Sequence, residues 1–165
     1  MKEYPTDRLR NVALLGHNSS GKTTFAEALL FASGATSRMG KVDDGSTVSD
    51  FDDEEKRRKQ SLMLSIIPVE WKDYKINLID TPGYADFAGE VRSAVRIADL
   101  GLIFVDAAAG VEVGTELAMQ AVEEAKIPRA VLISRMDREN ANFANVMSQL
   151  HDAFHQDIVP LMLPV

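Results

Sequence analysis

The chain has 165 residues, 45% of them hydrophobic and 26% charged, the balance of a globular protein with one sizeable core. It contains no cysteine, which excludes disulfides and thiolate chemistry, and its net charge of -7 disfavours DNA as a partner. The single basic run, Lys56-Arg57-Arg58-Lys59, follows directly on Asp52-Asp53-Glu54-Glu55, the pattern of a solvated or mobile face. The first ten residues are charged and lack the apolar stretch of a signal peptide, and the apolar run 100–111 is broken by Asp106 and too short to span a bilayer. The expected setting is therefore the cytoplasm, without a membrane partner.

Val12 to Leu15 form an unbroken apolar run and predict a buried strand over residues 11–16. A helix is expected over residues 22–33, with Phe25, Ala28, Leu29 and Ala32 on one stripe and Gly34 as its stop. Between them lies Gly16-His17-Asn18-Ser19-Ser20-Gly21-Lys22-Thr23: glycine, four residues, then Gly-Lys-Thr. Each fixed position suits phosphate binding. Glycines let the backbone turn so that successive N–H groups converge on phosphate oxygens, and the following helix adds its positive end. Lys22 can bridge the outer phosphates, and the Thr23 hydroxyl can ligate magnesium, which prefers hard oxygen donors.

Residues 35–60 are polar and poor in apolar anchors, a long connection placed where a nucleotide-responsive loop would lie. Residues 62–70 and 75–80 then read as two strands joined by Trp71-Lys72-Asp73-Tyr74, an antiparallel hairpin. The second delivers Asp80 to its carboxyl end. In an open α/β sheet ligands sit there, so Asp80 is placed to hold a magnesium-bound water. Gly83 offers a backbone N–H suited to sensing a terminal phosphate.

Residues 86–98 are expected to be helical with Phe87, Val91, Ala94 and Val95 inward, followed by a strand over 102–106 and a helix over 115–126 capped by Thr115. A strand over 129–134, a helix over 142–155 and a last strand over 158–165 complete the pattern. Strands alternating with helices predict an α/β fold with a mainly parallel sheet covered on both faces. The strand over 129–134 delivers Ser134-Arg135-Met136-Asp137. A guanine presents two adjacent donors that one carboxylate can accept, and adenine does not. Asp137 therefore favours GTP, with the planar Arg135 able to lie along the base; the competing reading is an ion pair of Asp137 with Arg135 or Arg138.

These motifs together resemble the GTP-binding domain of translational GTPases, most closely elongation factor G and its elongation-factor-G-like paralogues. The resemblance rests on NVALLGHNSSGKTT at 11–24, DTPGYADF at 80–87, VDAAAGVE at 105–112 and ISRMDRENANF at 133–143. It implies the P-loop NTPase G-domain fold over residues 1–165, with GTP or GDP and Mg2+ as cofactors. Phosphate binding falls to Asn18, Ser19, Ser20, Gly21, Lys22, Thr23 and Thr24. Magnesium falls to Thr23 and, through water, Asp80, with Ser61 at the position of the family's first-switch threonine. Residues 35–60 match the first switch and residues 80–90 the second. Lys22 and Gly83 would serve the reaction, and Ser134, Arg135 and Asp137 the base. The ribosome is the expected partner of the full-length protein, and the fragment is expected to be monomeric.

The departures are specific. Tyr84 stands where elongation factor G has the histidine that orients the attacking water. Arg58-Lys59-Gln60-Ser61 replaces Arg-Gly-Ile-Thr, and Ser134-Arg135-Met136-Asp137 replaces Asn-Lys-X-Asp. The expected function is a switch domain coupling GTP binding and ribosome-stimulated hydrolysis to ribosome action; the alternative is a hydrolytically silent GTP-binding module. By comparison with the family, the chain is expected to stop before the inserted subdomain and the last guanine-contacting loop.

Overall fold

The computed structural model describes residues 2–155 and 158–164. Five strands form one sheet: β1 (Leu9–Gly16), β2 (Ser65–Trp71), β3 (Tyr74–Asp80), β4 (Leu100–Asp106) and β5 (Arg129–Ser134). Their spatial order is β2-β3-β1-β4-β5. Strand β1 pairs in parallel with β3 and β4, and β4 in parallel with β5. Only the β2–β3 hairpin is antiparallel, and Pro68 is tolerated in β2 because that strand lies at the sheet edge. The parallel strands bring Gly16, Asp80, Asp106 and Ser134 to one edge of the sheet.

Five helices complete the described fold: α1 (Lys22–Ala32), α2 (Asp53–Arg58), α3 (Ala88–Val95), α4 (Val113–Ala125) and α5 (Phe143–Phe154). The alternation of side chains along each strand divides the core. Leu14, Leu78 and Phe104 meet Ala26 and Leu30 of α1, together with Ile67 and Val69 of β2. On the other face Ala13, Leu15, Ile79 and Ile103 meet Ala94 and Val95 of α3 and Ala118, Met119 and Val122 of α4. Val146 and Leu150 of α5 pack on Val105. Helices thus cover both faces, as the sequence predicts. Each fully buried Leu or Ile contributes about 1.5–3 kcal/mol, so the layers anchor the strand ends firmly.

Several expectations change in detail. The buried side of α1 carries Ala26, Leu30 and the polar pair Lys22 and Glu27, with Phe25 and Leu29 partly buried; Ala28 is only half-buried and Ala32 is exposed. The cap of α4 is Glu112, whose backbone N–H donates to the Thr115 hydroxyl at 3.3 Å; Thr115 is the third helical residue and closes a capping box. The segment expected as one helix over 86–98 is a short 3-10 turn, Ala85–Phe87, followed by α3. The acidic-basic block at 52–59 is ordered as α2, with Asp52 Oδ1 accepting from Glu54 N at 2.8 Å and Glu55 Oε2 from Asp52 N at 3.4 Å.

The last strand is overturned. Residues 158–164 adopt no strand, and Val165 lies outside the described residues. Pro160 and Pro164 carry no N–H for a ladder, and Val159, Leu161 and Met162 are exposed at 75%, 88% and 87%. An apolar run is not by itself a strand.

Candidate functional site

The cradle forms where β1 ends and α1 begins. Gly16 has φ +129°, and a Cβ there would stand 2.5 Å from the Phe104 carbonyl oxygen, so β1 can lie this close to β4 only with glycine. Ser19 and Gly21 take left-handed conformations, and Gly21 caps α1. Asn18 Nδ2 donates to Ser19 Oγ at 3.2 Å, Ser20 is buried with its Oγ lacking a hydrogen-bond partner, and Thr24 is exposed at the mouth. Lys22 is buried, its Nζ donating to the carbonyls of Gly16 and His17 at 3.0 and 2.8 Å. Burial pushes its amine down to about 8, partly offset by the negative Asp80. An amine so poorly solvated gains much from an anionic phosphate.

The second switch meets this cradle at Gly83. A Cβ there would fall 2.5 Å from Asn18 N and Cα and 2.7 Å from Lys22 Nζ, so the backbone of the switch approaches the cradle without room for a side chain. On the other side of the cradle, His17 Nδ1 accepts from Gly114 N at 3.3 Å at the start of α4, with Nε2 3.5 Å from Glu112 Oε1.

Oxygen donors converge beside Thr23. Its Oγ1 donates to Asp80 Oδ2 at 2.7 Å and lies 3.4 Å from Ser61 Oγ, which donates to Asp50 Oδ1 at 2.7 Å. Burial pushes Asp80 up to about 6, against the opposing effects of the Thr23 hydroxyl and Lys22, and Asp50 adds to the rise. Burial likewise raises Asp50. Asp80 Oδ1 is buried without a hydrogen-bond partner. Two hydroxyls and two carboxylates, one oxygen unsatisfied, are the donor chemistry magnesium takes, and they fit it. Among the described residues no three His, Cys, Asp or Glu side chains group together as a metal cage. Asp50 escaped the sequence reading because its loop carries no motif.

The connection over residues 35–64, which contains the segment expected as the first switch (35–60), is fastened by three glutamates that the sequence did not single out. Glu27 of α1 accepts from Gly40 N at 3.0 Å and Val48 N at 2.6 Å. Glu55 of α2 accepts from Leu62 N at 2.9 Å and Met63 N at 3.2 Å, and Glu90 of α3 from Leu64 N at 2.9 Å. Gly40, Lys41, Asp50, Lys59 and Ser61 thereby line one open cavity of about 420 Å³ with Asn18, Ser19, Lys22, Thr23, Thr24, Gly83 and Arg135.

At the base end, the Ser134 hydroxyl donates to the Ser20 carbonyl at 2.7 Å, tying β5 to the cradle. Arg135 has φ +57° and reaches the cavity wall. Asp137 is exposed on the following loop and does not line that cavity. Among the described residues it forms no ion pair with Arg135 or Arg138; both arginines turn instead to Asp106, at 3.3 and 3.0 Å. Tyr84 is 42% exposed and lines a separate cleft against Leu117 and Ala121 of α4. Of the expected residues, the structure gathers Asn18 to Thr24, Asp80, Gly83, Ser61, Ser134 and Arg135. It leaves Asp137 on the rim and Tyr84 in the α4 cleft.

Comparison with known proteins agrees with this arrangement. The elongation factor Tu GTP binding domain family matches residues 7–162. An elongation factor G-like protein of Mycobacterium tuberculosis is 42% identical over 156 residues, which are 94% of this chain and 22% of that protein. The mitochondrial ribosome-releasing factor 2 of Scheffersomyces stipitis is 36% identical over 164 residues, 99% of this chain and 19% of its own length. The chain thus spans about a fifth of these relatives. Among solved structures, a protein of Thermus thermophilus superposes with TM-score 0.84 at 39% identity, covering 87% of this chain and 22% of that one. Translation elongation factor SelB of Methanococcus maripaludis, in complex with the GTP analogue GppNHp, gives TM-score 0.63 at 25% identity over 93% of this chain and 26% of its own. The chain belongs to the elongation factor Tu GTP binding domain family and is similar, over its length, to part of an elongation factor G-like protein.

Proposed function

We propose that this domain binds GTP and GDP with Mg2+ and acts as a ribosome-dependent switch of a cytoplasmic translation factor. The observation that carries the reading is the convergence of Thr23, Asp80 and Ser61 beside a cradle whose lysine is buried and poised for an anion. The amides of residues 18–24 hold the phosphates and Lys22 neutralises the outer two. Thr23 and Ser61 would hold the metal directly and Asp80 through water; when bound, the ion neutralises charge on the phosphate oxygens. Gly83 donates its N–H to the terminal phosphate, and loss of that phosphate releases the switch. Asp137 accepts the paired guanine donors, Arg135 lies along the base, and Ser134 holds the base loop on the cradle.

A second reading is favoured by the position of Tyr84. This residue lines the cleft shared by Gly16, Gly83 and α4 and not the cavity of Lys22 and Thr23, and a phenol does not orient water as an imidazole does. The module would then hold GTP without hydrolysing it. Two measurements separate these readings. Competition of ATP and GDP against fluorescent GDP tests the base: equal affinities refute guanine selectivity. Phosphate release by the full-length protein, with and without ribosomes, tests the reaction: stimulation by ribosomes supports the switch, and its absence supports the silent module.

A further inference from the structure

Asp106 ends β4 beside Ser134 of β5, inside the strand layer and 4% exposed. Its two carboxylate oxygens do different things. Oδ1 accepts from Ala108 N at 2.8 Å and Ala109 N at 3.2 Å, which fixes the turn after β4. Oδ2 faces the base loop, 3.3 Å from Arg135 Nη1 and 3.0 Å from Arg138 Nη1. Burial alone would push this carboxyl up. The two amides and two guanidiniums outweigh it and hold the group below its ordinary value, so it is charged at neutral pH.

Arg135 needs such a holder. It is a non-glycine residue at φ +57°, a left-handed conformation that L-residues rarely adopt. Its backbone is closed by one turn bond, Arg138 N to Arg135 O at 3.1 Å. The same loop is joined to the β4 turn by Ala107 N donating to Ser134 O at 2.9 Å and Asn142 N to Ala107 O at 2.9 Å. A guanidinium that lies on the cavity wall must be aimed, and among the described residues Asp106 is the carboxylate that aims it.

We propose that Asp106 is the positioning residue for guanine recognition: through Arg135 and Arg138 it sets the plane and place of the base loop, and so the selectivity of the site for the nucleoside end of its ligand. The proposal rests on the guanine reading above. Asp106 touches no phosphate-binding residue with its side chain in any of the contacts described, so its effect falls on the base and not on the phosphates.

The test uses the intact protein carrying Asp106→Asn, which keeps an acceptor for the Ala108 and Ala109 amides but removes the charge. Asp106→Ser, which retains a short acceptor, serves as a second variant should the first fail to fold. The readouts are the Kd for fluorescent GDP and competition by inorganic tripolyphosphate. The expected result is a loss of GDP affinity of about tenfold, the scale of a lost charge-assisted contact, with tripolyphosphate competition unchanged. Arg135→Ala should cost a similar factor, and the double variant should lose clearly less than the product of the two single losses, the remainder passing through Arg138. Unchanged GDP affinity, an equal loss for tripolyphosphate, or full additivity with Arg135→Ala would each overturn the proposal. Wild-type protein that binds ADP as tightly as GDP would overturn the guanine reading itself, an outcome distinct from a neutral Asp106 variant in a protein that selects GDP.

Discussion

The cradle at residues 16–24 and the loop at residues 35–64, where the first switch is proposed, face the same cavity, yet they are held by different means. The cradle is held by its own backbone and by close packing: a glycine pressed on Phe104, left-handed turns at Ser19 and Gly21, and a lysine bonded to carbonyls five and six residues behind it. The switch has no ladder of its own. Its amides at Gly40, Val48, Leu62, Met63 and Leu64 bond to carboxylates of Glu27, Glu55 and Glu90, which belong to three different helices. One region is held by local geometry; the other adds to its own short helix α2 the carboxylates of Glu27 and Glu90 from α1 and α3. That contrast suits a site in which one part must always bind phosphate and the other must let go.

The contrast can be broken from either side. Lys22→Ala should have the largest effect, lowering nucleotide affinity by on the order of a hundredfold or more in equilibrium titrations, because a poorly solvated cation paired with phosphate is lost. The fold should remain, since the strands do not depend on that amine. Glu27→Ala should act on the loop: the buried Gly40 amide and the partly buried Val48 amide lose their acceptor, at up to about 1–3 kcal/mol for the buried one before the loop relaxes. Hydrogen exchange should then show protection lost around Gly40 and Val48 while β1 and β3 stay protected. Loss spread evenly over the domain would contradict separate fastening of the loop.

The smallest effect is pH-dependent and concerns the point where the two regions touch. Asp80 titrates in the fold at about 6, above its ordinary 3.8, so the fold retains this proton more readily than the unfolded chain. The contribution of this group to stability is therefore present below its ordinary value and declines as pH rises towards 6. Magnesium needs the deprotonated form, so its affinity should run the other way, falling about fourfold between pH 7 and pH 5.5. Isothermal titration across that range checks the sign. A flat profile would show that Asp80 does not reach the ion.

The sequence made the cradle legible because its chemistry is local: Gly16, Gly21, Lys22 and Thr23 act through spacing along the chain. Asp80 and Ser134 were legible because strand periodicity places them at one sheet edge. Asp50, Glu27 and Glu55 were not, since their partners lie 11, 13 or 21, and 7 or 8 residues away through loops with no period. The charge block at 52–59 read as a solvated or mobile face; most of it is exposed, but Asp52 and Glu55 cap α2 from opposite ends of its first turn and Glu55 is buried, which the pattern did not reveal. The apolar run after Ile158 read as a strand because periodicity registers side chains and not the missing N–H groups of Pro160 and Pro164.

The bond from the Ser134 hydroxyl to the Ser20 carbonyl carries a consequence of its own. It joins the loop assigned to the base directly to the loop that holds the phosphates, across 114 positions of chain. A single short side chain thus bridges the interval between these loops directly. On the proposed roles the bond would act as a ruler: a nucleotide whose sugar or linkage changes the length from phosphate to base would miss one end when it engages the other.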